Sequence, residues 1–295
     1  CLVSGASGFL GSRLVEFLKI RAQKIIIIGR TPLDGFDFIY WDIDSDVFPL
    51  IAVDRIDVVF HVAGYTHDTA GLGLAEKYFR CNANATKALA DFALNFGVNR
   101  FLYVSSAKAG GEGSTLPISE STGGSPNSYY GQSKKEAEDY LLNLKSNKMA
   151  VSMIRPVLIY GPDMKGNLAQ LKSAIQTGFP RPPKGLLATK SMIHVDDCVR
   201  CMAHLIGLPP SDPQVYLITD NCEYSAYDID SVLAGESRSF RIRFPIWLIA
   251  VLRMIPVFSA KFDKLYGPNL YSSEKLNATG FHCKASFSDI NRNLF

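Results

Sequence analysis

The sequence has little excess charge, no long apolar run and no low-complexity linker. Its 295 residues include 31 Lys and Arg against 28 Asp and Glu, a net charge of +3. This surplus is too small to indicate nucleic-acid binding, although it is compatible with a local cationic pocket for a phosphate group. Arg253 and Pro256 interrupt the most apolar stretch before the ~20 residues that a membrane span needs. We therefore predict no membrane span, and a packed helix over 245–252 rather than one lying on a membrane.

Cysteine is sparse and does not follow metal-site spacing. The six cysteines are Cys1, Cys81, Cys198, Cys201, Cys222 and Cys283. Only Cys198 and Cys201 form a CxxC pair, and no second cysteine or histidine pair follows at zinc spacing, so we predict a buried structural pair and no metal. This usage fits a reducing cytoplasm. No signal peptide is recognisable, and we expect a short N-terminal piece before the first strand.

Short apolar runs alternate with helical patterns in the first half of the chain. The patterns predict strands over 1–4, 24–28, 57–62, 100–105 and 151–155, and helices over 11–20, 75–96 and 133–144. Repeated βα units indicate an α/β fold built on a parallel sheet with right-handed crossovers. After Pro156 the pattern loosens, with one more strand over 215–219. We expect residues 1–160 to form the main domain, with strand and helix returns around 190–220, and residues 161–295 to form mainly a smaller C-terminal lobe.

A glycine-rich turn follows the first strand and opens the first helix. Gly5, Gly8 and Gly11 allow a tight turn and a close approach of backbone to a pyrophosphate, while the helix N-terminus offers unpaired N–H groups. The spacing is weak evidence alone, but its strand–turn–helix setting is the one that the motif requires. We predict that this turn binds a dinucleotide through Gly5, Ser7, Gly8, Phe9, Leu10 and Gly11.

The end of the second strand bears on which dinucleotide is bound. Enzymes that use NAD usually place an acidic residue there for the ribose hydroxyls. This chain has Gly29 and Arg30, and an arginine can hold a 2′-phosphate with two hydrogen bonds, which favours NADP. The alternative is that Arg30 is a solvated strand-end residue or stacks on adenine in an NAD site. Asp42 and Ile43, after the third strand, are expected at the adenine.

Tyr130 and Lys134 have YxxxK spacing, which puts both on one face of a helix. A free phenol with a pKa near ~10 is a poor acid–base group at neutral pH. We predict that the lysine charge, with that of the nicotinamide, lowers the tyrosine pKa. Ser106 follows the strand at 100–105 and is expected to orient the reacting oxygen.

Taken together, these motifs make the chain similar to the extended short-chain dehydrogenase/reductase family, in its sugar-nucleotide epimerase/dehydratase branch. The resemblance spans positions 1 to about 200 and rests on residues 5–11, Asp42, 61–64, Asn82, Ser105, Ser106, Tyr130, Lys134, Arg155, Pro156, 160–162 and 193–197. It implies a Rossmann-type, doubly wound parallel sheet with a C-terminal substrate-binding lobe.

The resemblance also implies residue roles. Tyr130 is the acid–base, Lys134 its partner and Ser106 the substrate-orienting hydroxyl. The cofactor would also contact Val62, Ala63, Gly64, Asn82, Ser105 and Pro156, and the sugar nucleotide would contact Asn167, Leu168 and Lys190. Helices 75–96 and 133–144 would form a homodimer interface, as in many family members.

The residues directly after Ser106 narrow the choice among the reactions of this family. Dehydratases of this family have an acidic pair there, whereas this chain has Ala107 and Lys108, so we do not expect a dehydratase. The segment is closer to a subgroup described as UDP-glucose 4-epimerase-like, which includes reductases. Our first expectation is NADPH-dependent reduction, at C4, of a UDP-4-keto-6-deoxy-hexose or its N-acetylated form. The alternatives are a UDP-glucose or UDP-N-acetylglucosamine 4-epimerase with tightly held NAD, and a non-catalytic NADP-binding regulator.

Three histidines carry no predicted catalytic role. His61 is expected to serve packing or hydrogen bonding at a strand end, and His67 to lie in a loop. His194 precedes Asp196 and Asp197, a grouping that suggests a metal, but the resemblance implies a turn into a helix with one of these aspartates as its N-cap.

Overall fold

The computed structural model describes residues 1–45, 47–66, 74–112, 114–122, 124–144, 148–177, 189–234, 254, 267–285 and 287. Its strands are β1 (Leu2–Ser4), β2 (Ile26–Gly29), β3 (Asp37–Tyr40), β4 (Val58–His61), β5 (Arg100–Val104), β6 (Ala150–Pro156), β7 (Leu158–Tyr160), β8 (Thr189–His194), β9 (Gln214–Ile218) and β10 (Glu223–Ser225). Its α-helices are α1 (Phe9–Leu18), α2 (Leu74–Tyr78), α3 (Ala85–Phe96), α4 (Tyr129–Leu142), α5 (Asn167–Gln176), α6 (Val195–Gly207) and α7 (Ala226–Ala234). A π-helix (Phe79–Asn84) joins α2 to α3, a 3₁₀ turn (Ala107–Gly110) follows β5, and a last short helix spans Glu274–Asn277.

Seven strands form one parallel sheet in the order β3-β2-β1-β4-β5-β6-β9. Helices cover both faces, which explains the unbroken apolar runs in its strands. In β2, Ile27 faces the layer that contains α1 and α6, whereas Ile26 and Ile28 face the layer that contains α3 and α4. The α/β, doubly wound fold is therefore confirmed.

A second sheet lies beside the carboxyl end of the main one, in the order β10-β8-β7. Its core is a separate apolar cluster that joins α5 to α7 and includes Tyr160, Leu168 and Phe287. The chain enters this sheet at β7, returns to the main sheet with β9 and enters the second sheet again at β10, so it passes between the two units more than once. The division at residue 160 stays a prediction.

Helix boundaries differ from the sequence pattern in an informative way. The helix predicted over 11–20 begins at Phe9, because Gly8 already serves as its N-cap, and the helix predicted over 133–144 begins at Tyr129 behind Ser128. The segment predicted to be helical over 75–96 is helical over 74–96, with a π segment between α2 and α3. The helix predicted over 245–252 lies outside the described residues.

The CxxC pair is buried, as predicted. Cys198 and Cys201 lie on the buried face of α6, in the apolar core, and neither is in a disulfide. In the described part of the chain no helix has the length and apolar character to cross a membrane.

Candidate active site

The main sheet reverses its strand order between β1 and β4, and the crevice at such a point is where ligands bind in open α/β sheets. A cleft of about 450 Å³ opens there. Most of the predicted site residues line it: Gly5, Ser7, Gly8, Phe9, Leu10, Gly11, Arg30, Ile43, Val62, Ala63, Gly64, Ser105, Ser106, Tyr130, Lys134 and Pro156. Trp41 and Thr66 line it too and were not predicted.

The turn after β1 has room for backbone only. Gly5 has a φ of 73°, and a Cβ there would lie 2.6 Å from the Ala63 nitrogen. A Cβ on Gly11 would lie 2.0 Å from the Gly5 oxygen. The N-cap of α1 is Gly8, which makes no side-chain capping bond, so the first N–H groups of the helix are available to an anion.

Ser105 gives an independent indication that a ligand belongs in the cleft. Its side chain lines the cleft and is buried, yet its Oγ has no hydrogen-bond partner among the described residues. An unpaired buried hydroxyl costs stability, which a polar ligand atom would offset. The glycine turn and Ser105 together fit a dinucleotide with its pyrophosphate at α1.

Arg30, which was predicted to favour NADP, and Asp42, which was predicted to contact the adenine, differ in placement. Arg30 lines the cleft just after β2 and is exposed, and no ion pair involves it among the described residues. Asp42 does not line the cleft, although its neighbours Trp41 and Ile43 do. Its carboxylate accepts a hydrogen bond from the Asp44 backbone instead, at 3.0 Å. Contact between Asp42 and adenine stays a prediction.

Tyr130 and Ser106 both line the cleft. Burial raises the pKa of Tyr130 to about 12, and the nearby Ser106 hydroxyl lowers it only in part. The direction is opposite to the one that YxxxK spacing predicts, because desolvation of the phenolate outweighs the favourable contacts. Deprotonation of Tyr130 near neutral pH therefore requires positive charge beside its hydroxyl.

Lys134 is the cation one helical turn along from Tyr130. It is only 2% exposed, its Nζ donates to the Val104 carbonyl at 2.9 Å, and it lies 4.8 Å from the centre of the Tyr103 ring. Burial lowers the pKa of Lys134 to about 7, while the charge of Glu138 acts in the opposite direction. The buried lysine therefore loses its proton more readily than an exposed lysine does.

Asn82 lies in the π segment and acts behind the cleft, not in its wall. Its Oδ1 accepts from the Tyr65 nitrogen at 2.8 Å, and its Nδ2 donates to the Tyr65 oxygen at 3.1 Å and to Ser133 Oγ at 3.0 Å. It therefore fixes the loop after β4 against α4. A π segment is often found at functional sites, but its wide turn leaves no pattern in a single sequence.

His61 is a packing residue, as predicted. Its Nδ1 lies 2.7 Å from Ser4 Oγ and its Nε2 lies 2.9 Å from Thr86 Oγ1. Burial, and to a smaller extent Lys134, lowers the pKa of His61 to about 3, so the ring is neutral. His67 lies outside the described residues.

Of the predicted substrate residues, Ser106 lines the cleft, whereas Leu168 and Lys190 do not. Asn167 begins α5, and Leu168 is buried in the core of the second lobe. Lys190 lies in β8, where burial, with a contribution from Lys108, lowers its pKa to about 8. Lys108 pairs with Glu112 at 3.2 Å. Contact between the sugar nucleotide and Asn167, Leu168 or Lys190 stays a prediction.

The prediction of an aspartate as N-cap of α6 is wrong. His194 is the cap, and its Nδ1 accepts from the Asp196 nitrogen at 3.2 Å. Asp196 instead pairs with Arg13 of α1, and Asp197 with Arg200. Within the described ranges, no group of three or more His, Cys, Asp or Glu side chains could hold a metal ion.

Comparison with known proteins places the chain in a family. The family described as NAD dependent epimerase/dehydratase matches residues 1–218, which include the glycine turn, Ser106, Tyr130 and Lys134. The chain belongs to this family. A relative from Vibrio cholerae named UDP-glucose 4-epimerase is 29% identical over 280 residues, covering 90% of this chain and 85% of that protein. A 3 beta-hydroxysteroid dehydrogenase/Delta 5-->4-isomerase of Mycobacterium tuberculosis is 28% identical, covering 74% of this chain and 64% of that protein.

Solved structures share the fold. MoeE5 in complex with UDP-glucose and NAD matches with a TM-score of 0.79 and 23% identity, covering 99% of this chain and 96% of that one. The UDP-glucuronic acid 4-epimerase of Bacillus cereus, in complex with NAD, matches with a TM-score of 0.76 and 22% identity, covering 98% of this chain and 94% of that one. At this level of identity the likeness concerns the fold.

Proposed function

We propose that this protein is an NAD-dependent 4-epimerase of a nucleoside-diphosphate sugar. The observation that carries the proposal is the placement of Ser106, Tyr130 and Lys134 in the wall of the same cleft as the glycine turn. An acid–base group thus lies where a bound dinucleotide would present its nicotinamide. The family match and the Vibrio cholerae relative support epimerisation as the reaction.

In this mechanism the chain's own residues move one proton and hold the sugar. Ser106 donates to the sugar 4-oxygen, and Tyr130 takes the proton of the 4-hydroxyl and later returns it. Lys134, as an ammonium, stabilises the tyrosinate. The bound nicotinamide supplies the place where hydride is held between oxidation and reduction.

A dehydratase does not fit the loop after β5. Lys108 occupies the position where an acid would be expected, and the nearby Glu112 is held by the Lys108 ammonium and by Ser128 Oγ at 3.3 Å. The observation favours reactions that begin and end at C4.

Arg30 supports a second candidate, the NADPH-dependent reduction of a UDP-4-keto-6-deoxy-hexose. Because it is exposed at the cleft, its guanidinium is available to a 2′-phosphate. Tyr130 would then give its proton to the carbonyl oxygen, and the oxidised cofactor would leave after each turnover. The two candidates therefore differ in cofactor identity and exchange, not in their acid–base residues.

The test begins with the cofactor that is released when the purified protein is denatured, identified by chromatography. UDP-glucose, UDP-galactose and their N-acetylated forms are then incubated with the protein and NAD, and the products are identified by proton NMR. We expect interconversion of C4 epimers without net NADH release, and loss of at least ~10²-fold in Tyr130→Phe. Turnover of 4-keto sugars with NADPH, and no epimerisation, would favour the reductase. Full activity of Tyr130→Phe would contradict both candidates.

A further inference from the structure

A buried ion pair joins α4, the helix that carries Tyr130 and Lys134, to β6. Arg155 in β6 donates from Nε and one terminal nitrogen to the two carboxylate oxygens of Glu138, at 2.9 and 2.6 Å. The side chains are 7% and 0% exposed. Such a pair is expensive to desolvate and adds little net stability, so its presence calls for another explanation.

The position of Glu138 on α4 offers an explanation for this buried ion pair. Tyr130, Lys134 and Glu138 are spaced by four residues each, so they follow one face of the helix. Their side chains run from the cleft inward, and the Glu138 carboxylate is the last of the three. Arg155 binds both carboxylate oxygens, so its guanidinium fixes the carboxylate and offsets part of the negative charge that acts on Lys134.

The pair also reaches the segment that carries Ser106. Gly110 ends the 3₁₀ turn that Ser106 caps, and a Cβ at Gly110 would lie 2.6 Å from a terminal nitrogen of Arg155. Arg155 therefore packs under this turn while it holds Glu138. One buried guanidinium contacts both segments that supply the reacting hydroxyls and the lysine.

The groups that face Lys134 from other elements carry no negative charge. His61 in β4 is neutral, and burial raises the pKa of the Tyr103 phenol in β5 well above its usual range. Val104 and Tyr130 offer a carbonyl and a protonated phenol. Among the residues that the structure describes, Glu138 is the anion that acts on Lys134.

We infer that Glu138, locked in place by Arg155, is a positioning residue that keeps the buried Lys134 ammonium protonated. The inference deepens the proposed function and rests on it only for the catalytic consequence. Removal of the carboxylate makes Lys134 lose its proton at lower pH. Removal of Arg155 has the opposite effect, because the freed carboxylate then has Lys134 as its remaining cation.

The test is a direct titration of Lys134 in protein labelled with carbon-13 at lysine Cε, followed by NMR from pH 5 to 10, with the signal assigned through Lys134→Arg. In wild type we expect a midpoint near 7. In Glu138→Gln the midpoint should fall by about one unit or more, whereas in Arg155→Gln it should rise. Glu138→Asp, which retains the charge, should stay close to wild type. Glu136→Gln is the matched control, because Glu136 is on the same helix and pairs with Lys87 at 2.6 Å near the surface.

An unchanged midpoint in Glu138→Gln would overturn the inference, as would shifts of the same sign in Glu138→Gln and Arg155→Gln. If Glu138→Gln does not fold, Arg155→Gln provides the test instead. A rise of the Lys134 midpoint in Arg155→Gln would support the inference, and an unchanged midpoint would overturn it. Because the titration needs neither cofactor nor substrate, its result tests the inference even if the protein does not turn over sugar nucleotides. With turnover, the high-pH limb of kcat in Glu138→Gln should move down by the same amount, which is roughly a tenfold loss at pH 8.

Discussion

Replacement of Gly64 by alanine tests how tightly the structure positions Lys134. A Cβ at Gly64 would lie 2.9 Å from Lys134 Nζ and 3.1 Å from Asn82 Oδ1, and ordinary contact begins at 3.4–4 Å. The ammonium must therefore move by about 0.5–1.1 Å, the difference between those distances. Gly64 does not have a left-handed backbone conformation, so alanine itself introduces no backbone strain there.

The expected result is a loss of activity without a matching loss of stability. A misplacement of about 1 Å in a catalytic group can cost on the order of 10²-fold in rate. The far end of a lysine side chain moves at small cost, so we expect the free energy of unfolding to fall by no more than about 1 kcal/mol. The assay compares kcat for epimerisation and the urea midpoint in Gly64→Ala and wild type.

Gly207→Ala is the matched control. Gly207 ends α6 and a Cβ there meets nothing within 4 Å, so neither kcat nor the urea midpoint should change appreciably. Activity of Gly64→Ala within two- or threefold of wild type would refute the reasoning about Lys134. A large loss of stability would show that the clash is not absorbed by the lysine side chain.

Three further predictions concern the cofactor, the π segment and pH. Arg30→Ala should weaken NADPH binding about tenfold or more and leave NADH binding nearly unchanged, as measured by fluorescence titration; equal effects on both cofactors would exclude a phosphate contact. Asn82→Ala removes the hydrogen bonds of Asn82 with Ser133 and with the Tyr65 backbone, and it should cost about 1–3 kcal/mol in urea unfolding, together with activity. An unchanged midpoint would contradict the role of Asn82 in holding this loop against α4. The pKa of His61 is about 3 in the folded state and about 6.5 in the unfolded state. Because the unfolded state binds the proton first, the free energy of unfolding falls as pH drops below 6.5, by up to about 1.4 kcal/mol per pH unit. His61→Gln should therefore flatten the loss of stability between pH 6 and 4, and parallel curves would show that another group is responsible.

The cofactor side of the cleft was predictable because its signals are local in sequence. The glycine turn lies between β1 and α1 within a few residues, and its steric requirement at Gly5 and Gly11 follows from that geometry. The positions of Ser106, Tyr130 and Lys134 follow from where β5 ends and where α4 begins. These residues do line one cleft.

The features that the sequence could not predict depend on burial and on contacts between distant segments. The direction of the pKa shift of Tyr130 is set by desolvation, which spacing along a helix does not report. The ion pair of Glu138 with Arg155 joins α4 to β6, although the spacing of four residues from Lys134 to Glu138 was a usable signal. The π segment and the His194 cap depend likewise on local geometry that several residue types can adopt.

The homodimer predicted for α3 and α4 stays a prediction. The two helices contact one another within the chain through Lys87 and Glu136 at 2.6 Å, and the Tyr140 hydroxyl bonds to Asp91. Sedimentation of the purified protein measures the oligomeric state directly.

The central claim is that hydride leaves and returns at C4 of a sugar nucleotide while Tyr130 carries the proton. The most direct measurement uses UDP-glucose deuterated at C4, incubated with the protein and NAD in ordinary water and followed by NMR. We predict that the C4 epimer forms with the deuterium still at C4, and that Tyr130→Phe forms almost none. Loss of the deuterium to solvent during epimer formation, or the same rate in Tyr130→Phe, would contradict this mechanism.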